Sequence, residues 1–126
     1  MKLNSIHHIA IIVSNYEISK NFYVNILGFK IIRENYRKER NSYKLDLKIG
    51  DSEIEIFSMN ECPKRLTRPE ACGLRHLAFR VDNIEDVITE LNLNGIQTEP
   101  IRIDEYTNKK FTFFSDPDGL PLELHE

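Results

Sequence analysis

Cysteine is scarce in this chain: Cys62 and Cys72 are its only two, and their separation is not that of a CxxC pair. Neither a disulfide framework nor a thiolate metal site is expected from them, and both read as reduced, partly buried thiols. An excess of positive charge is also missing. Seventeen Lys and Arg stand against twenty Asp and Glu, a formal net charge of −3, which argues against nucleic acid as the main partner because phosphate binding rests on a basic surface. No apolar run approaches the length of about 20 residues that a bilayer demands, so membrane insertion is not expected. The opening "MKLNSIHHIA" has no apolar segment followed by a small-residue cleavage site, so the expected location is the cytoplasm. Low-complexity segments are absent too. What remains is an ordinary globular composition, 40% hydrophobic and 29% charged. A chain of 126 residues buries roughly two thirds of its unfolded surface as one domain without staples.

The sequence says nearly the same thing twice. "HHIAIIVSN" at 7–15 returns as "RHLAFRVDN" at 75–83, with His8 over His76, Ala10 over Ala78, Val13 over Val81 and Asn15 over Asn83. Each copy begins as a β-branched or apolar strand and runs into a helical pattern. In the first, Ser14 and Glu17 have the spacing of a capping box, Phe22, Tyr23, Ile26 and Leu27 recur at helical spacing, and Gly28 marks the stop. In the second, Asn83 caps, Ile84, Val87, Ile88 and Leu91 form the stripe, and Asn94-Gly95 ends it. After each helix the period becomes two, with turn residues at short intervals, as strands joined by hairpins require. These are "FKIIRENY", "YKLDLKI" and "EIEIFSM", then "IQTEPIRI", "KKFTFFS" and "PLELHE". The expectation is an α+β domain over 1–126 made of two βαβββ modules, about 1–60 and 74–126, joined by an irregular linker at 61–73.

Strand alternation places His8, Ala10 and Ile12 on one face, and His76, Ala78 and Arg80 on the matching face of the second copy. A histidine beside a small alanine leaves room for a ligand. Glu55 follows His8 by 47 residues, and Glu123 follows His76 by the same 47. Any one of these residues alone reads as the wet side of an amphipathic strand; four ligand-type residues at equal spacing in both copies point to a site. Alternation turns His7 to the opposite face, and His125 lies at the tail, outside the repeat, so neither is included.

These residues closely resemble the vicinal oxygen chelate superfamily, and within it the small bacterial relatives of glyoxalase I (lactoylglutathione lyase). The stretches that carry the resemblance are "HHIAIIVSN", "FYVNILGF", "IEIFS", "RPEACGLRHLAFRVDN" and "FTFFSDPDGLPLELHE". The resemblance implies paired βαβββ modules forming a cupped mixed sheet, one divalent metal held by His8, Glu55, His76 and Glu123, and a homodimer. Two imidazoles and two carboxylates suit a divalent ion such as Ni²⁺, Co²⁺, Zn²⁺, Mn²⁺ or Fe²⁺, and the resemblance to glyoxalases of short chain implies Ni²⁺ or Co²⁺ first. The implied reaction is metal-dependent isomerisation of the hemithioacetal of methylglyoxal and a small thiol to a hydroxyacyl thioester. Glu55 and Glu123 would act as base and acid, in an order the sequence leaves open. Lys64, Arg65, Arg68 and Arg75 could hold carboxylates of the thiol, with Arg68 and Arg75 the candidates for substrate binding.

Three other readings remain. Another metal-dependent enzyme of the superfamily, such as a fosfomycin-modifying enzyme or an extradiol dioxygenase, needs no carboxylate at position 55. A methylmalonyl-CoA epimerase usually carries an amide there. A non-catalytic protein that sequesters an antibiotic such as bleomycin needs no ligand set at all.

Overall fold

The computed structural model describes residues 1–126. By their internal contacts these residues form two compact units, Met1–Pro63 and Lys64–Glu126. Both cysteines are free, Cys62 half-buried and Cys72 exposed. No helix is long and apolar enough to cross a membrane.

The first unit runs β1 (His8–Val13), α1 (Tyr16–Lys20), β2 (Lys30–Arg37), β3 (Ser42–Ile49) and β4 (Ser52–Ser58). Its sheet has the order β1-β4-β3-β2, with β1 parallel to β4 and the other pairs antiparallel. The second unit repeats the plan with β5 (Leu77–Arg80), α2 (Ile84–Leu93), β6 (Arg102–Ile103), β7 (Lys110–Ser115) and β8 (Pro121–His125). Its order is β5-β8-β7-β6, again with the first pair parallel. Helix-side residues supply the core. Ile11, Val13, Phe22, Tyr23, Leu45, Leu47, Ile54 and Ile56 are buried in the first unit, and Ile84, Leu91, Phe114, Leu122 and Leu124 in the second. Strand alternation therefore leaves the His8, Ala10 and Ile12 face of β1 exposed.

Three local expectations change. The first helix is capped by Asn15, whose Oδ1 accepts from Ile18 N at 3.1 Å, and not by Ser14 with Glu17. Asn15 thus does for α1 what Asn83 does for α2, where Oδ1 accepts from Asp86 N at 3.0 Å. Beyond Lys20 the helix widens into a π-helical stretch, Asn21–Ile26, in which Leu27 N bonds Phe22 O at 2.9 Å. That winding accommodates two consecutive bulky residues, Phe22 and Tyr23, both of which are buried.

The predicted strand "IQTEPIRI" shrinks to Arg102–Ile103. Pro100 has no N–H to give a ladder and disfavours continuation. Glu99 still bonds β7, through its N–H to Phe113 O and its carbonyl from Thr112 Oγ1.

Between β3 and β4 the turn needs only Gly50 and Asp51, with Ile49 opposite Ser52 and Gly50 at φ +51°. The corresponding turn holds one more residue, Pro117 to Gly119, closed by Asp116 N bonding Leu120 O. Asp116 Oδ1 also accepts from Asp118 N and Leu120 N. The extra residue alters the correspondence between the units. Glu55 matches Glu123 at a shift of 68, but Asp46, opposite Glu55, matches Phe113, opposite Glu123, at 113 − 46 = 67.

Candidate metal centre and ligand cleft

Each unit brings one histidine to one glutamate. Parallel pairing sets Ala10 beside Glu55 and Ala78 beside Glu123, so the histidine two residues before each alanine lies on the same face as the carboxylate. In the first unit His8 Nε2 is 3.6 Å from Glu55 Oε2. In the second, His76 Nε2 is 2.8 Å from Glu123 Oε2, a closer and more sheltered pair. Within neither unit does a third His, Cys, Asp or Glu join the pair. The four residues singled out from the sequence thus lie as two N,O pairs at equivalent places, one per unit. Their donors, imidazole nitrogen and carboxylate oxygen without thiolate, fit a divalent ion of the Ni²⁺, Co²⁺ or Zn²⁺ class. Within each unit the residues that would hold such an ion are His8 with Glu55 and His76 with Glu123.

The surroundings of the two pairs differ. Beside Glu55 stands Lys44, whose Nζ donates to Glu55 Oε1 at 2.9 Å and to Asp46 Oδ1 at 2.8 Å. Asp46 is fully buried, and Arg33 Nε lies 2.7 Å from its other oxygen. That approach is an ion pair by distance, with an angle outside hydrogen-bond geometry. The two carboxylates, Asp46 first and Glu55 second, raise the Lys44 pKa above the ordinary lysine value, so the ammonium stays charged at neutral pH. Composition and repeat matching do not reveal this network. Its signal is the alternation of "YKLDLKI", which puts Lys44, Asp46 and Lys48 on the face that pairs with Glu55.

Beside Glu123 stand rings. His76 meets Phe113 edge-on at 5.1 Å, and Phe113 and Phe111 are mutually T-shaped at 6.1 Å. The Arg102 guanidinium lies 5.0 Å and 5.3 Å from their ring centres. These side chains line an open cleft of about 1050 Å³ that also reaches Arg68 and Arg75. Of those two candidates, Arg75 is occupied, with Nε and Nη2 both on Glu70 Oε1 at 2.9 Å. Arg68 carries no such partner.

Two histidines set aside on sequence grounds belong nearer the sites. His7 precedes β1, but its Nδ1 is 2.9 Å from His8 Nδ1, so one ring donates to the other. His125 is not outside the repeat: it sits opposite Arg80 as Phe57 sits opposite Ile12. It stacks on Phe111 and faces Asp104 at 3.7 Å.

Residues 5–124 match the model of the Glyoxalase/Bleomycin resistance protein/Dioxygenase superfamily. The chain is 61% identical over its whole length to the uncharacterized protein YwkD of Bacillus subtilis, 99% of which is covered. It is 54% identical to the uncharacterized protein YaeR of Escherichia coli, over 98% of this chain and 97% of that one. The crystal structure of a glyoxalase family protein from Enterococcus faecalis superposes with a TM-score of 0.93 at 60% identity, covering 100% of both chains. Among more distant relatives, the metallothiol transferase FosB of Staphylococcus haemolyticus is 32% identical over 98% of this chain and 84% of its own. The human mitochondrial methylmalonyl-CoA epimerase is 26% identical over 98% of this chain and 74% of its own.

Proposed function

The chain belongs to the Glyoxalase/Bleomycin resistance protein/Dioxygenase superfamily, and we propose that it is a metal-dependent isomerase of the glyoxalase I type. On this reading it is a cytoplasmic homodimer that converts the hemithioacetal of methylglyoxal and a small thiol to a hydroxyacyl thioester. The observation that carries the proposal is the recurrence of one histidine–glutamate pair at equivalent register in both units.

His8, Glu55, His76 and Glu123 hold one divalent ion, with Ni²⁺ or Co²⁺ preferred. Such an ion, when bound, supplies Lewis-acid stabilisation of negative charge developing on substrate oxygens, worth several kcal/mol. Glu55 and Glu123 have the second task of taking the proton from one substrate carbon and returning it to its neighbour. Lys44 keeps one oxygen of Glu55 hydrogen-bonded and leaves Oε2 for His8 or for that work. The half-buried Phe113 ring lies edge-on to His76 and opposite Glu123, giving that pair an apolar neighbour.

Thioester formation from methylglyoxal and a panel of low-molecular-weight thiols, followed spectroscopically with the protein loaded in turn with Ni²⁺, Co²⁺ and Zn²⁺, tests the proposal. Turnover above background, faster with Ni²⁺ or Co²⁺ than with Zn²⁺, is expected. Background rates with every metal and thiol would reject it. The second reading, a metal-dependent thiol transferase, draws on the identity to FosB. It would be preferred if the protein consumed thiol by forming a carbon–sulfur bond to an electrophile other than methylglyoxal.

A further inference from the structure

The cleft of the second unit is lined by as many guanidinium groups as carboxylates, Arg65, Arg68, Arg75 and Arg102 against Glu70, Glu99, Asp104 and Glu123. Each carboxylate already has a cationic or imidazole partner. Glu70 takes Arg75, Glu99 takes Arg102 at 2.8 Å, Asp104 faces His125, and Glu123 faces His76. Arg65 is turned to the backbone, donating to Leu74 O at 2.6 Å and Arg75 O at 3.0 Å, and so holds the loop. Arg68 is left over. It is an exposed guanidinium on the cleft wall with no hydrogen bond or ion pair of its own. A guanidinium presents a planar fork of donors suited to a carboxylate or phosphonate. In the lining of the same cleft Phe111 and Phe113 are half-buried, so part of each ring is open to a ligand's carbon portion.

We propose that this cleft binds a small molecule with a single oxyanion, held by Arg68, and an apolar or planar portion laid against Phe111 and Phe113. The inference rests on the isomerase reading for its relevance to the substrate, which it restricts to compact thiol adducts bearing one anionic group. One uncommitted guanidinium serves one anion. A dianionic thiol would have to displace Glu70 from Arg75 or Glu99 from Arg102, and would lose in each exchange what it gained.

The test is direct binding to metal-free full-length protein, read from the aromatic NMR resonances of Phe111 and Phe113. Phenylphosphonate is the probe, and methylphosphonate and benzyl alcohol are its halves. Phenylphosphonate should shift both rings saturably and bind about tenfold or more tightly than either half. Arg68→Ala should weaken it by about tenfold, and Arg75→Ala by no more than about threefold, with unchanged spectral dispersion reporting that both variants fold. Equal binding by Arg68→Ala and wild type, equal binding by benzyl alcohol, or no saturable shift in wild type would each overturn the proposal. No turnover enters this measurement. An Arg68-dependent site in a protein that makes no thioester keeps the anion site and rejects the isomerase; thioester formation with Arg68-independent binding does the reverse.

Discussion

The same histidine–glutamate pair is set in two unlike walls. Where the first unit has Lys44 and Asp46 across from Phe57 and Glu55, the second has Phe111 and Phe113 across from His125 and Glu123. One wall is a chain of alternating charges, Arg33, Asp46, Lys44 and Glu55, around a fully buried carboxylate. The other is a run of edge-on and stacked rings with a guanidinium over them. The scaffold is repeated down to the parallel strand pair and the asparagine cap, yet the flanks share almost no chemistry. A repeat that keeps its donors while its flanks differ separates two jobs. On the proposed reading the pairs serve what both units do alike, and the flanks set what each contributes alone, charge positioning in the first and apolar contact in the second.

The largest effect that would break or sharpen this contrast is on catalysis. Glu55→Gln keeps size and one coordinating oxygen but loses basicity, and turnover should fall by about 10²-fold or more, the scale of a lost general base. Metal content must be measured on the same samples, since an empty site imitates a lost base. If Glu55→Gln is fully metallated and works at the wild-type rate, proton transfer belongs to Glu123 or to another group.

Stability comes next. Asp46→Ala leaves a buried gap and takes from both Lys44 and Arg33 one of their two carboxylate partners, and should cost about 3 kcal/mol in urea unfolding. Phe113→Ala, at a half-buried ring, should cost about 1–2 kcal/mol. The reverse ranking would show that the charged wall is incidental to the first unit.

Helix capping gives a smaller and symmetrical effect. Asn15→Ala and Asn83→Ala should each cost about 1 kcal/mol, and a difference of more than twofold would show that the two caps are not equivalent. The smallest effect belongs to His7→Ala. The His7 ring is exposed but meets His8 Nδ1, so metal affinity should fall by less than about tenfold, the low end for a residue that orients a ligand from outside the coordination shell.

Most of this architecture was legible because it follows from local rules. Period-two stretches became the strands, and the apolar stripe of α2 and its asparagine cap stand where the pattern puts them. The pairing of each histidine with its glutamate was legible for a stronger reason: repetition at equal spacing marks a register that a single strand cannot. What was not legible depends on partners in space. Ser14 and Glu17 have a capping spacing, but the backbone turns helical one residue later, so Asn15 takes the role. The single extra residue in the 117–119 turn makes the constant shift of 68 fail across β7, so an ungapped alignment of the halves does not set Asp46 over Phe113. Arg68 and Arg75 look alike in a basic stretch; only Glu70, bonded to one of them, tells them apart.

The measurement that tests the central claim most directly is calorimetric titration of Ni²⁺ and Co²⁺ into metal-free wild type, His8→Ala and His76→Ala, with elemental analysis of the product. One His–Glu pair from each unit serving one ion predicts about one divalent ion per chain. It also predicts that either substitution weakens binding by roughly 10²-fold or more, as loss of a first ligand should exceed the 10–100-fold seen for outer partners. Two independent ions per chain, no ion at all, or a loss confined to the variant of one unit would contradict it.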